Sequence, residues 1–155
     1  MNLLVIDPGT NESAILSWNG DKVADHSVDR NDLILDKLAK GNTQVRQTLA
    51  VEMVASYGMS VGKEVFETVL WIGRFIQQWK VATGDDARLV YRRDIKLHLC
   101  GSMRAKDANI RQALIDRIGP QGKKANPGPT YGLAKHDWAA LAIAVYVADT
   151  VGAAH

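Results

Sequence analysis

The opening ten residues, MNLLVIDPGT, constrain this chain more than any other stretch. Leu3, Leu4, Val5 and Ile6 form a short unbroken apolar run, the pattern of a strand covered on both faces. The run stops on one carboxylate, Asp7, and Pro8-Gly9-Thr10 then turns the chain. Asp7 is therefore expected at the mouth of a buried sheet, beside backbone that can approach a phosphate closely. Its plainer role would be to cap the turn. The choice depends on whether the rest of the chain supplies partners for a catalytic carboxylate.

Ribonuclease H-like nucleases and actin-like or sugar-kinase ATPases both begin in this way. Such an ATPase needs two lobes around its nucleotide, whereas 155 residues suffice for one domain with a real core. The chain also has no GxxxxGK[ST] segment, so no nucleotide cofactor is expected. With 46% hydrophobic and 23% charged residues, the composition excludes a disordered chain. No apolar run approaches the ~20 residues of a membrane span, and no signal peptide is evident. The one cysteine, Cys100, can form neither an internal disulfide nor a zinc site alone. A cytoplasmic setting is expected, with Cys100 a small buried apolar residue.

Asn19-Gly20-Asp21 sits between Glu12–Trp18 and Lys22–Val28, a strong hairpin signal. The first three strands should thus form an antiparallel meander. Asp29 to Lys40 reads as a helix with Leu33, Ile34, Lys37 and Leu38 at helical spacing, capped by Asn31 or Asp29 and ended by Gly41-Asn42. Thr48 to Val51 is a second apolar run ending on a carboxylate, Glu52. A glycine-punctuated loop, 56–62, leads to a long helix over Lys63–Lys80, where Val65, Val69, Ile72, Ile76 and Trp79 recur at three and four. Arg88–Tyr91 reads as a strand, Asp94–Leu99 and Ala105–Ile118 as helices, and Gly119–Thr130 as a mobile basic loop. An Ala-rich helix, Lys135–Val151, closes the chain, introduced by His136-Asp137. This order predicts one α/β domain over residues 1–155: a mixed five-stranded sheet of ribonuclease H-like type, with helices on both faces. The fourth strand should lie parallel to the central first, placing Asp7 and Glu52 side by side.

Adjacent carboxylates at strand ends repel each other unless a cation joins them. Mg2+ accepts oxygen ligands, keeps water and binds substrate phosphate. Two such ions about 4 Å apart can activate water and stabilise a leaving 3′-oxygen. The third corner should come from the first turn of the last helix. His136 and Asp137 lie about 100° apart around that helix, so they cannot face one site equally. His136 suits a ligand for Mn2+ or a general base, or is a plain surface histidine. Asp137 suits a ligand or a helix cap. Charge is also divided: from Arg88 to Lys124 ten basic residues face three aspartates, a balance of +7, so the remainder of this +2 chain is −5. The split suggests one face for a polyanion.

VIDPGT, a strand ending in Glu52, and HDWAALAIAV together resemble RuvC-type Holliday-junction resolvases, and more closely the short RuvC-like proteins of phages and prophages. The similarity runs along essentially the whole chain. It implies a homodimer that nicks branched DNA symmetrically at four-way junctions with Mg2+ or Mn2+. It also implies a bacterial or phage-infected bacterial cell. The family's four active-site members map to Asp7, Glu52, His136 and, where an acid is usual, Ala139. Asp137 is the nearest substitute for that acid. Asp149 lies roughly 18–20 Å along the helix from His136, too far away. The resemblance further implies Lys106 beside the scissile phosphate, with Arg104, Lys106, Arg111, Lys123 and Lys124 on DNA phosphates. Tyr57 would either stack in the open junction centre or pack on its own helix. Trp71 and Phe75 would line either the dimer face or the core. Rival readings are a broader flap or fork nuclease, and a junction-binding protein that does not cut.

Overall fold

The computed structural model describes residues 1–152. Five strands form one mixed sheet in the order β3-β2-β1-β4-β5. They are β1 (Leu3–Asp7), β2 (Glu12–Trp18), β3 (Val23–Arg30), β4 (Thr48–Met53) and β5 (Arg88–Tyr91). The first three pair antiparallel, while β4 runs parallel to β1 and β5 parallel to β4. The expected hairpin is present, with Asn19 Oδ1 accepting the Lys22 N–H at 3.2 Å. Among the described residues no helix is long and apolar enough to cross a membrane.

Side-chain parity sorts the sheet residues into two cores. Ile6, Leu49 and Val51 point to one face, where α1 (Asn31–Ala39) and α2 (Lys63–Thr83) cover them with Ile34, Leu38, Ile72, Phe75 and Trp79. Leu3, Val5, Ala50 and Val90 point to the other face. There α3 (Arg92–Cys100), α4 (Asp107–Ile118) and α5 (Lys135–Gly152) close over them. Continuing the alternation from Val5 and from Ala50 puts Asp7 and Glu52 on this second face. The alanines of α5 let its backbone lie close to the sheet, and Ala140, Leu141, Ala142, Ile143 and Ala144 are all buried.

Several elements differ from the sequence reading. The first helix begins at Asn31, and Asn31 does not cap it. Its side chain is buried, accepts a hydrogen bond from the Ser13 hydroxyl at 2.6 Å, and donates to the Gly9 carbonyl at 2.9 Å. Ser13 Oγ in turn accepts the Gly9 N–H at 3.0 Å. This network pins the turn after Asp7. It also explains Gly9, where a Cβ would lie 2.3 Å from the Glu12 carbonyl oxygen. The segment expected to be a mobile loop contains a small hairpin, β6 (Gly122–Lys123) with β7 (Asn126–Pro127). The buried Thr130 hydroxyl fastens it by donating to the Gly119 carbonyl at 2.9 Å. Phe75 is core, fully buried under the sheet. Trp71 is half-buried and carries the Arg74 guanidinium 4.6 Å from its ring. Cys100 is half-buried against the second core.

Candidate active site

The β1–β4 register pairs Ile6 with Val51, so Asp7 and Glu52 come next on neighbouring parallel strands. Their carboxyl groups share a hydrogen bond. Both are largely withdrawn from water, with 13% of each side chain exposed. Burial pushes Glu52 up to about 7, and the charge and hydrogen bond of Asp7 push the same way; Arg92 opposes them. Burial also raises Asp7, against the hydrogen bond from Glu52 and the charge of Arg92. Glu52 therefore keeps its proton up to about 7, and the two acids titrate as a coupled pair.

The first turn of α5 settles how its two polar residues are used. His136 turns toward the acids, with Nδ1 3.4 Å from Asp7 Oδ2 and a side chain 62% exposed. Asp137 turns away. It is buried, and its Oδ2 accepts the Ala134 N–H at 3.0 Å and lies 3.2 Å from His26 Nδ1 on β3. It ties the start of α5 to the far edge of the meander. The expectation that Asp137 replaces the acid absent at Ala139 therefore meets a correction: its carboxylate does not join Asp7 and Glu52. The cause is local, since an aspartate three residues into a helix can reach back to the unpaired amide that begins it.

A cavity of about 620 Å³ opens beside the acids. Its lining includes Asp7, Arg92, Asp107, Arg111, His136 and Ala139. Ala139, one turn beyond His136, thus faces the same space but offers no ligand. Arg111 holds its guanidinium 4.9 Å from the Trp138 ring and donates to Gln121 at 3.2 Å, which brings the small hairpin next to the cavity. Lys106, Arg104, Lys123 and Lys124 are exposed, but they lie outside the cavity lining. Tyr57 adopts a left-handed conformation (φ 48°) that holds its ring outward, 55% exposed, with the Arg93 guanidinium 5.7 Å from the ring. Its neighbour is therefore α3 rather than its own helix.

Arg92 is the site residue that sequence reasoning missed. Its Nη1 stands 3.6 Å from Glu52 Oε1, and its other amine is paired with Asp107 at the start of α4. It counted only as one of ten basic residues. The signal was available: once β5 lies parallel to β4, Glu52 pairs with Val90, and the second residue onward returns to the same face.

Two carboxylates and an imidazole are donors suited to Mg2+ or Mn2+. Among the described residues, no group of three or more His, Cys, Asp or Glu side chains is placed to hold a metal ion. By chemistry, the adjacent carboxylate oxygens of Asp7 and Glu52 suit a divalent ion.

No protein-family model matches the sequence, and no curated protein matches it. Solved structures do. The chain superimposes on Thermus thermophilus RuvC with a TM-score of 0.70 at 14% identity, covering 97% of each chain. It superimposes on T. thermophilus RuvC in complex with Holliday junction substrate with a TM-score of 0.71 at 16% identity, covering 97% of this chain and 94% of the other. The fold is RuvC-like, as expected from the sequence.

Proposed function

We propose that this chain is a metal-dependent, structure-selective endonuclease that cuts four-way DNA junctions. The observation that carries the reading is the Asp7–Glu52 pair at adjacent parallel strand ends, with His136 over it and a cavity holding arginines beside it. The RuvC-like fold supports junction DNA as the substrate, because one of the structures it matches holds that substrate.

Asp7 and Glu52 would hold one or two divalent ions, Mg2+ or Mn2+. A bound ion would supply an activated water and neutralise charge on the leaving oxygen. The chain's own residues do the rest. Glu52 gives up its proton, and the pair becomes the double anion that oxygen-seeking cations prefer. His136, exposed on the cavity side, is placed to accept a proton from water attacking the phosphodiester. Arg104, Lys106, Arg111, Lys123 and Lys124 provide phosphate contacts that position DNA without reading its sequence. Tyr57 is presented for stacking on an unpaired base. Two copies joined along α2 would set two such clefts at the fixed angle a junction needs.

The test is cleavage of an end-labelled synthetic four-way junction beside linear duplex, flap and fork controls, in Mg2+, Mn2+ and chelator. Paired symmetric nicks that need metal and vanish in Asp7→Asn are the expected result. Equal cutting of every branched form would make it a general branch nuclease. The alanine at position 139 favours one further reading, a junction-binding protein that does not cut. Tight binding with intact strands in both metals would establish that instead.

A further inference from the structure

Arg92 and Asp107 line the site cavity, yet neither has a part in the chemistry above. Arg92 begins α3 directly after β5, and Asp107 begins α4. One edge of the guanidinium faces Glu52 at 3.6 Å and the other is paired with Asp107. Exposure rises along this row: 13% for the Glu52 side chain, 36% for Arg92 and 70% for Asp107. The guanidinium thus reaches from the buried acid pair to the rim.

Two other cations, Arg111 and Lys135, share the cavity lining, and Lys135 carries an ammonium. Arg111 is stacked on Trp138 and bonded to Gln121. Lys106 lies outside the cavity lining. A guanidinium presents a planar fork of donors that matches two phosphate oxygens, which an ammonium cannot do. A divalent cation and Arg92 also compete for the same carboxylate, because both are positive and both need Glu52. Once Glu52 is taken, Asp107 still holds one edge of the fork, and the other edge is open to the cavity.

We propose that Arg92 is the phosphate-binding residue of this site, held in place by Asp107 and by Glu52 until a divalent cation and DNA displace it from Glu52. The inference rests on the nuclease reading and names the side chain that meets the reacting phosphodiester. Asp107 is a positioning residue.

Two measurements test it on the full chain. The first is junction affinity between 50 and 200 mM salt in Ca2+, for wild type, Arg92→Gln, Arg92→Lys and Asp107→Asn. Each phosphate contact contributes about 0.9 to the slope of log affinity against log salt. Arg92→Gln should lower that slope by roughly one contact. Arg92→Lys should keep the slope but lose cleavage at least tenfold, because charge survives and the fork does not. Asp107→Asn should keep the slope and reduce kcat severalfold with little change in KM. The second measurement is Mn2+ binding without DNA, followed by the spin-resonance signal of free Mn2+ at pH 8.5. Arg92→Gln should bind Mn2+ at least threefold more tightly, since its competitor is gone. An unchanged slope together with unchanged Mn2+ affinity overturns the proposal and leaves Arg92 a surface counter-ion. If wild type binds no junction, the nuclease reading fails by itself, and the Mn2+ arm still decides whether Arg92 competes for Glu52.

Discussion

Glu52 keeps a proton in the folded chain that it loses on unfolding, and this gives a pH signature with a definite sign. Its ordinary value is 4.5, and in the fold it is pushed up to about 7, by burial first and by Asp7 second. Below 4.5 the group is protonated in both states. Between the two values only the folded state holds the proton, so its contribution to stability is full at low pH and fades as pH climbs through 7. Asp7 shifts in the same direction. In chelator, Glu52→Gln should therefore match wild type near pH 5 and melt several degrees higher at pH 8, a gain on the order of 2 kcal/mol. Parallel melting curves for the two proteins at every pH would refute this. The same proton competes with metal, so Mn2+ affinity should rise with pH up to about 7 and then level off. Ala139→Asp adds a carboxylate one turn from His136 and facing the cavity. It should tighten Mn2+ binding on the order of tenfold, as a higher ligand charge does, and calorimetric titration would measure it. Asp7 and Glu52 were legible as a pair in the sequence because each ends an apolar run, and strand parity then fixes its face. Arg92 was not, because its meaning depends on which strand lies beside β4.

The first turn of α5 divides two jobs between neighbouring residues, and mutation should separate them. His136 faces Asp7 and is exposed, so His136→Ala should leave the melting temperature unchanged and lower cleavage about 10²–10⁴-fold, the usual range for a general base. Asp137 binds the Ala134 amide and lies beside His26, so Asp137→Ala should cost about 1–2 kcal/mol of stability, the range for losing a helix cap. That is a fall of a few degrees in thermal melting. Equal effects of both variants on melting would mean that the turn works as one unit. The sequence placed both residues on the right element and left their roles open. A 100° step around the helix says that only one can face the acids, but not which. The answer came from His26, more than a hundred residues earlier, and from the unpaired amide at Ala134. The segment 119–130 was misread for a related reason. Glycine, proline and lysine describe a loop by composition, whereas the two-rung ladder and the Thr130 hydroxyl that close it are contacts between residues far apart in that segment.

At the scale of the whole molecule, α2 is the element with a face left over. Its inner side fills the first core through Ile72, Phe75 and Trp79. Phe66, Leu70 and Val81 stand on the opposite side, 66%, 56% and 70% exposed. With Gly73 and Gln77 they form a stripe at spacings of four and three along a helix roughly 30 Å long. The helical periodicity made α2 legible as a long amphipathic helix. It left open whether Trp71 and Phe75 line a dimer face or the core; Phe75 is core, and the exposed apolar residues are Phe66, Leu70 and Val81. A stripe of this length, packed on its own symmetry mate with the adjoining Leu35 and Arg74, suits a twofold interface of the standard size, about 1,200–2,000 Å² in total. Leu70→Glu with Phe66→Glu sets like charges against each other across such an axis and touches neither core nor site. The double variant should keep its melting profile at low concentration and sediment as a monomer where wild type sediments as a dimer. On a four-way junction it should still nick, but the two nicks should become independent, so singly cut junctions accumulate instead of linear products. A wild type that sediments as a monomer at micromolar concentration would remove α2 as the joining face. Paired nicks from the double variant would mean that the two cuts are coupled through the DNA and not through the protein.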